Sequence, residues 1–239
     1  MRHATLQRIG HSLSRRVLAI SLMAMTLLTA GCGSLFSSRA EAPVTYVLRP
    51  AFGSTPSDTV GTDLPSSGRA VAQVGTVAAA PGYATDAILA TLPDRRLEIF
   101  TASRWPDALP RVVETLAVQA LRAVGVAAHD AAAPIAATHL LRITVRRFDA
   151  EYRVAAAAPV ARVVLEVEVL RRADRQVVEQ FAVEGEATAE ANRMGAIVAA
   201  FEIASARALS ALAAGTSEAL ARNVIAPTPR RHSPATISR

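Results

Sequence analysis

The chain has 239 residues, 51% of them hydrophobic, which is enough for one domain with its own core and for additional terminal segments. Of the 26 basic residues behind the net charge of +6, four precede Cys32 and three follow position 225, which leaves 19 against all 20 acidic residues. Because the body of the chain is nearly neutral, its charge does not indicate nucleic-acid binding, and no nucleic-acid partner is expected.

The first 31 residues have the pattern of a secretory signal peptide. Four arginines precede an apolar run over residues 17–28, and small residues follow this run. The run is shorter than the about 20 residues that a membrane-spanning helix needs. A basic start, a short apolar middle and a small-residue end are typical of an export signal that is removed. Residues 1–31 are therefore predicted to be a signal peptide.

The small residues at the end of this signal lead to Cys32, the only cysteine of the chain. The run Thr29-Ala30-Gly31-Cys32 resembles the lipobox of bacterial lipoproteins, with threonine where leucine is commonest. The resemblance implies that Cys32 becomes the acylated N-terminus, with acyl chains that each contribute about 0.8 kcal/mol per buried methylene. Gly33, rather than the aspartate that retains enteric lipoproteins in the inner membrane, implies the outer membrane. The alternative is an ordinary signal peptide with a chance cysteine.

The segments after the signal alternate between polar linkers and short apolar runs. Residues 32–43 are small and polar, and they predict a flexible tether. Residues 44–49 predict a strand, and residues 51–69, rich in Ser, Thr, Gly, Pro and Asp, predict a long loop. Residues 70–77 alternate valine with small residues and predict a second strand.

A hairpin followed by a helix is predicted next. Residues 87–92 and 97–100 are apolar runs joined by a proline-aspartate turn. Pro106 is expected in the first turn of the helix, where its missing N–H costs nothing, and Gly125 is expected to end the helix. Apolar residues recur at helical spacing between these two positions. Trp105, the only tryptophan, is predicted to fill the core at the helix entrance.

The chain then returns to strands. Residues 126–138 are alanine-rich and predict a loop, and residues 139–148 alternate and predict a strand with one exposed face. Four alternate residues of this strand are expected on one face: Leu141, Ile143, Val145 and Arg147. Residues 161–171 show the cleanest alternation in the chain and, with residues 176–187, predict an antiparallel hairpin.

A second long helix is predicted after these strands. Asn192 is expected to be its N-cap, because the side-chain oxygen can accept from a free backbone N–H of the first turn. Helical spacing of apolar residues continues to about Arg222, and residues 225–239, with three prolines, predict a disordered tail. Residues 44–224 therefore predict one α+β domain, a mixed, largely antiparallel sheet with two long helices packed on one face.

Several short motifs, in a fixed order, carry a family resemblance. The matching residues are Tyr46-Val47-Leu48-Arg49-Pro50, a partial match at Pro81-Gly82-Tyr83-Ala84, Ile88-Leu89, Leu97-Glu98-Ile99, Trp105, Asp107 and Leu109. In this order and spacing they resemble the ABC-type transport auxiliary lipoprotein family, and the resemblance extends to about residue 220. Members include the lipoprotein subunit of the paraquat-inducible (Pqi) system, which accompanies transporters built around mammalian-cell-entry (MCE) domains.

The resemblance implies a non-enzymatic subunit of a system that moves lipids between bacterial membranes. Its implied partners are an MCE-domain protein and the ABC permease and ATPase, and its implied place is the periplasmic face of the outer membrane, where it docks the transport machinery. Inner-membrane anchoring is the less favoured location. The resemblance also implies the same α+β layout and, as a hypothesis, a ring-shaped homo-oligomer.

The residues that could carry chemistry predict contacts rather than catalysis. The sequence has no G-x-S-x-G, P-loop, H-E-x-x-H or C-x-x-C motif, so neither an enzyme nor a cofactor or metal site is expected. Arg142, Arg146 and Arg147 form a basic cluster that is a candidate contact for a lipid headgroup or a protein partner; the alternative is an ordinary exposed strand face. For Glu166 and Glu168, a solvated face or cross-strand pairing with arginine is expected rather than paired catalytic carboxylates.

Three other functions stay open from the sequence. The first is a pilotin-like or other outer-membrane assembly lipoprotein, which would bind a different protein. The second is a periplasmic hydrolase whose site has no recognisable motif. The third is a domain that itself carries lipid, which would need a continuous apolar cavity lined by the alanine-rich helices.

Overall fold

The computed structural model describes residues 42–53 and 70–224, with side chains described as far as Arg222. The predicted signal peptide (1–31), Cys32 and all but the last two residues of the predicted tether lie outside the described residues. So do the predicted tail (225–239) and positions 54–69 of the predicted loop. The described residues from Pro43 onward belong to one unit.

The described residues form a nine-stranded sheet and two helices. The strands are β1 (Val44–Thr45), β2 (Val71–Val74), β3 (Ala78–Ala79), β4 (Ala87–Thr91), β5 (Leu97–Arg104), β6 (Ala127–His129), β7 (His139–Glu151), β8 (Val160–Arg171) and β9 (Val177–Thr188). The helices are α1 (Leu109–Ala123) and α2 (Met194–Val224).

The long strand β7 is the centre of the sheet. It pairs antiparallel with β8 along its whole length, and β8 pairs antiparallel with β9. Along its other edge, β7 runs parallel to β2, β3 and β4 in turn. β4 and β5 form an antiparallel hairpin, β1 lies parallel to β5, and β6 lies parallel to β2. The predicted α+β fold with a mixed, largely antiparallel sheet is confirmed.

The core lies between the sheet and the helices. Alternate residues of β8 are fully buried, as its sequence pattern predicts: Val163, Leu165, Val167 and Val169. They belong to one apolar cluster with the buried residues of β2, β7, α1 and α2. α2 packs against β8 and β9, while α1 packs against α2 and β6. α2 is long and apolar enough to cross a membrane by length and composition, but in this fold most of it is buried against the sheet and α1.

Three aromatic rings connect the layers of the core. Trp105 makes edge-to-face contacts with Phe148 on β7 and with Phe201 on α2, at centroid distances of 5.9 and 5.5 Å. Phe148 and Phe201 are stacked at 5.1 Å. All three rings are buried. The prediction that Trp105 fills the core at the helix entrance is confirmed, and the ring cluster joins α2 and the segment before α1 to the central strand.

The prediction that Pro106 opens the first helix is wrong. α1 begins at Leu109, and the proline in its first turn is Pro110. Before the helix, the Trp105 N–H donates to the Asp86 carbonyl at 2.8 Å, so the chain continues the β4–β5 pairing for one more residue. The Leu109 N–H donates to the Thr85 carbonyl at 2.9 Å, whereas a helix that began at Pro106 would direct it to the Trp105 carbonyl, so the helix starts later. The predicted end is confirmed, because Gly125 has a φ of +81° and follows the last turn.

The prediction that Asn192 caps the second helix is also wrong. The Ile197 N–H bonds to the Arg193 carbonyl, so the first helical carbonyl lies one residue after Asn192. The Asn192 side chain instead accepts a 2.7 Å hydrogen bond from the Tyr152 hydroxyl and donates to the Ala156 carbonyl. It therefore ties the start of α2 to the connection between β7 and β8.

A β-bulge in β7 overturns the predicted face of Arg147. The pairing of β7 with β8 shifts register between Val145 and Arg147, because Arg146 is an extra residue in the strand. Beyond the bulge, the residues that reach the core are Phe148 and Ala150. Arg147 therefore lies on the face opposite Val145.

Short strands account for the remaining differences. The region 126–138, predicted to be a loop, contains β6, which extends the sheet beside β2. The predicted strand over 44–49 is shorter, since only Val44–Thr45 pair as a strand. The predicted strand over 70–77 is confirmed in its first part, as β2. The two predicted hairpins are confirmed as β4–β5 and β8–β9.

Candidate docking surface

A strap of chain, residues 46–52, leaves β1 and crosses the two helices. The Tyr46 N–H bonds to the Arg104 carbonyl at 2.9 Å, which continues the pairing with β5. Leu48 then inserts into the core and is almost fully buried. The Arg49 N–H donates to the Glu202 carboxylate on α2 at 2.8 Å. The strap is thus fixed at three successive points, and it leaves a groove on each side.

The first groove lies between the strap and α1 and has a volume of about 500 Å³. Its apolar lining includes Leu48, Val112 and Leu116, and Val47, 52% exposed, stands at its rim. Arg111 and Asp107 add one charge of each sign. We call it the α1 groove.

The second groove lies between the strap and α2 and has a volume of about 440 Å³. Its floor is made by alanines of α2 and by the exposed Ile203. Arg49, Glu202 and Arg207 form its charged rim. The two grooves share Arg49, so they form one apolar surface that the strap divides. Open apolar surface with a rim of charges of both signs fits the side chains of another protein.

Among the described residues, no group of three or more His, Cys, Asp or Glu side chains is placed to hold a metal ion. His139 is buried, and burial together with the nearby Arg171 lowers the pKa of its imidazole. Its Nδ1 lies 2.9 Å from the Thr138 hydroxyl. His139 therefore packs inside the fold and lines neither groove.

A buried carboxylate, Asp149, is surrounded by its own partners. It accepts hydrogen bonds from the Tyr83 hydroxyl at 3.1 Å, from the Thr91 hydroxyl at 2.5 Å and from the Arg147 guanidinium at 2.9 and 3.0 Å. Burial, with Asp149 beside it, raises the pKa of Tyr83 to about 12. The hydrogen bond with Asp149 raises the pKa of Arg147 above its ordinary value. Asp149 and its three neighbours are hydrogen-bonded to one another, so the cluster holds the β4 and β7 strands together.

The structure gives the three predicted contact arginines different partners. All three lie on the face of the sheet opposite the core, but Arg147 bonds to the buried Asp149, whereas Arg146 and Arg142 pair with exposed glutamates. Arg146 lies 2.6 Å from Glu166, and Arg142 lies 3.7 Å from Glu168. The expected cross-strand pairing of the two glutamates is confirmed. A role of these arginines in binding a headgroup or a partner stays a prediction.

An exposed apolar patch lies at the other side of the sheet and was not predicted from the sequence. Leu97 and Ile99 on β5 are 42% and 56% exposed, and Val44 on β1 is 54% exposed. Leu97 and Ile99 are two residues apart in the strand, so their side chains lie on one face. Val44 lies on the other face, because the register of β5 with β4 shifts between Ile99 and Arg104, and because Tyr46, two residues after Val44, packs against the core. We call Leu97 and Ile99 the β5 patch. The available signal was Phe100, whose presence beside Ile99 makes both faces of β5 apolar.

Comparison with known proteins identifies the fold. No protein-family model matches the chain, and no curated protein sequence matches it. The crystal structure of protein XCC0632 from Xanthomonas campestris, described with the family model DUF330, matches with a TM-score of 0.62 and 20% identity. The match covers 75% of this chain and 98% of the Xanthomonas chain. At this identity, it shows a shared fold.

Two more distant structures come from named proteins. PelC from Paraburkholderia phytofirmans, described as a dodecamer, has a TM-score of 0.37 and 21% identity over 62% of this chain and 92% of its own. Lipoprotein GNA1162 from Neisseria meningitidis has a TM-score of 0.33 and 12% identity over 64% of this chain and 99% of its own. Structural similarities this distant say nothing about lipid anchoring or oligomeric assembly of this chain.

Proposed function

We propose that this chain is a non-enzymatic lipoprotein of the bacterial envelope that docks an MCE-type lipid-transport system at the periplasmic face of the outer membrane. In this proposal Cys32 carries the lipid anchor. The MCE-domain protein, which works with the ABC permease and ATPase, is the partner. The observation that carries the proposal is the pair of apolar grooves on either side of the strap. A ring-shaped homo-oligomer remains a hypothesis that rests on the family resemblance.

The grooves support docking for three reasons. Each is open and large enough to receive several side chains. Each has exposed branched aliphatic residues, which a domain without a partner tends to bury or replace. The strap between them begins at β1, directly after the predicted tether from Cys32, so an anchored chain would present the grooves within reach of the membrane.

The anchor and the partner can be tested in one comparison. Membrane fractions of cells that express the wild type or Cys32→Ala are cross-linked, the chain is purified, and its partners are identified by mass spectrometry. Labelling with a palmitate analogue is measured in parallel. We expect the wild type to incorporate the label and to recover an MCE-domain protein, and Cys32→Ala to lose the label and recover less of that protein.

Two outcomes would contradict the proposal in different ways. Equal labelling of the wild type and Cys32→Ala would show that Cys32 is not the acylated residue. Recovery of an outer-membrane assembly protein in place of an MCE-domain protein would favour the pilotin-like alternative, and it would leave the anchor in place.

A further inference from the structure

The β5 patch is an apolar surface that the fold itself does not cover. Phe100, on the other face of β5, packs against the core. Leu97 and Ile99 therefore point to the opposite side of the sheet. On that side, Leu89 lies directly beside Ile99 in the β4–β5 pairing and is almost fully buried. The inner part of the patch is thus packed beside Leu89, and its outer surface has no partner among the described residues.

The position of the patch limits what can cover it. β1, which pairs with β5, is the first strand after the predicted anchor at Cys32. A fully extended chain spans at most ~3.6 Å per residue, so positions 32 and 44 are about 43 Å apart at most. If the anchor is in a bilayer, the patch is therefore held near the surface of that bilayer at all times.

The charges around the patch are balanced. The basic and acidic residues of the β4–β5 region are Arg95, Arg96, Arg104, Asp86, Asp94 and Glu98. Arg96 pairs with Asp94 at 2.6 Å and with Glu98 at 2.9 Å, and Arg104 lies 4.0 Å from Asp86. A surface with this balance has no net attraction for anionic headgroups, so contact with a membrane would depend on its apolar side chains.

We propose that the β5 patch rests on the lipid bilayer, with Leu97 and Ile99 at the boundary between headgroups and acyl chains. This inference rests on the proposed anchoring at Cys32 and adds a second contact to it. An anchor alone leaves the domain free to rotate above the membrane, whereas a second apolar contact fixes one orientation. In that orientation, one end of the sheet lies on the bilayer, and the strap that follows β1 starts beside it.

The test places a polarity-sensitive fluorophore on the acylated full-length mature protein. Acylation blocks the thiol of Cys32, so Ile99→Cys, and in a second protein Leu97→Cys, gives a single labelled position. Each protein is reconstituted into phosphatidylcholine vesicles, with and without phosphatidylglycerol, and flotation measures attachment. Val177→Cys is the matched control, because Val177 is 50% exposed and lies on β9 at the opposite edge of the sheet.

We expect the emission at positions 97 and 99 to shift to the blue and to be quenched by nitroxide-labelled lipid, equally in both kinds of vesicle. The control at position 177 should keep the emission of a probe in water. If the protein floats with the vesicles but the probes at 97 and 99 stay in water, the inference is wrong, and the flotation still supports the lipid anchor.

Two further outcomes also overturn the inference. A blue shift that appears without vesicles and grows with protein concentration would assign the patch to a second copy of the chain. Failure of the acylated protein to float would contradict the anchoring itself, and with it the contact that depends on the anchor.

Discussion

Gly185 sets the distance between β9 and α2. A Cβ at this position would lie 2.0 Å from the Ala204 carbonyl oxygen and 2.9 Å from the Ala208 backbone nitrogen. Distances this short cannot be relieved by rotation of a side chain, because both neighbours are backbone atoms. The alanine-rich face of α2 therefore packs on the sheet at close range only because residue 185 has no side chain.

We expect Gly185→Ala to destabilise the protein strongly. The added methyl group must push α2 away from β9, and overpacking of this kind costs about 1–3 kcal/mol or more. Thermal unfolding followed by circular dichroism measures the effect. Gly53→Ala is the control, since a Cβ there meets no atom within 4 Å. Equal melting temperatures of the two variants would show that α2 does not pack on β9 as described.

The bulge in β7 gives two neighbouring arginines different roles. Arg147 donates two hydrogen bonds to Asp149, whose side chain is fully buried. Arg146 pairs with Glu166 on the exposed face of the sheet. An exposed pair adds little to stability because water already solvates both charges. Removing the partner of a buried carboxylate leaves a charge that water cannot reach.

Arg147→Gln should therefore destabilise the protein by about 3 kcal/mol, the lower end for breaking a buried ion pair. Arg146→Gln, which removes the neighbouring exposed arginine, should leave the unfolding curve nearly unchanged. Urea unfolding at neutral pH measures both. If the two variants unfold at the same urea concentration, Arg147 and Arg146 do not have the buried and exposed partners described.

The strands and helices were predictable from the sequence where one periodic pattern of apolar residues runs through the whole element. β8 has an uninterrupted alternation, and the apolar positions of α2 recur over many turns, so local sequence was sufficient. Local sequence was insufficient where a tertiary contact determines the residue at which a helix begins. The Thr85 carbonyl delays α1 by accepting from the Leu109 N–H, and Tyr152 takes the side chain of Asn192 away from the helix start. β6 is too short for any pattern to indicate it.

The candidate surface was less predictable than the fold. Arg142 and Arg146 were found from the sequence, but their acidic partners on β8 depend on the register of β7 with β8. The α1 groove was not predicted, because it is formed by two segments, the strap and α1, that are separated by more than fifty positions along the chain. The local sequence around Val47 indicated only a strand.

At the scale of the whole domain, the predicted membrane contact and the two grooves both lie next to β1, the first strand of the fold. β1 pairs with β5, which carries the β5 patch, and it continues into the strap, which borders both grooves. A chain that is anchored at Cys32 and rests on the patch would therefore hold the strap close to the membrane. A docking subunit requires this arrangement, since the partner must be received at a defined place on the membrane surface.

The most direct measurement is photo-crosslinking from the groove in living cells. A photoreactive amino acid replaces Val47, at the rim of the α1 groove, and in a control it replaces Val154, which is exposed in the connection between β7 and β8. We predict that position 47 crosslinks to an MCE-domain protein and that position 154 does not. If position 47 gives no crosslink to such a protein while the acylated chain is present in the membrane, the docking function proposed here is contradicted.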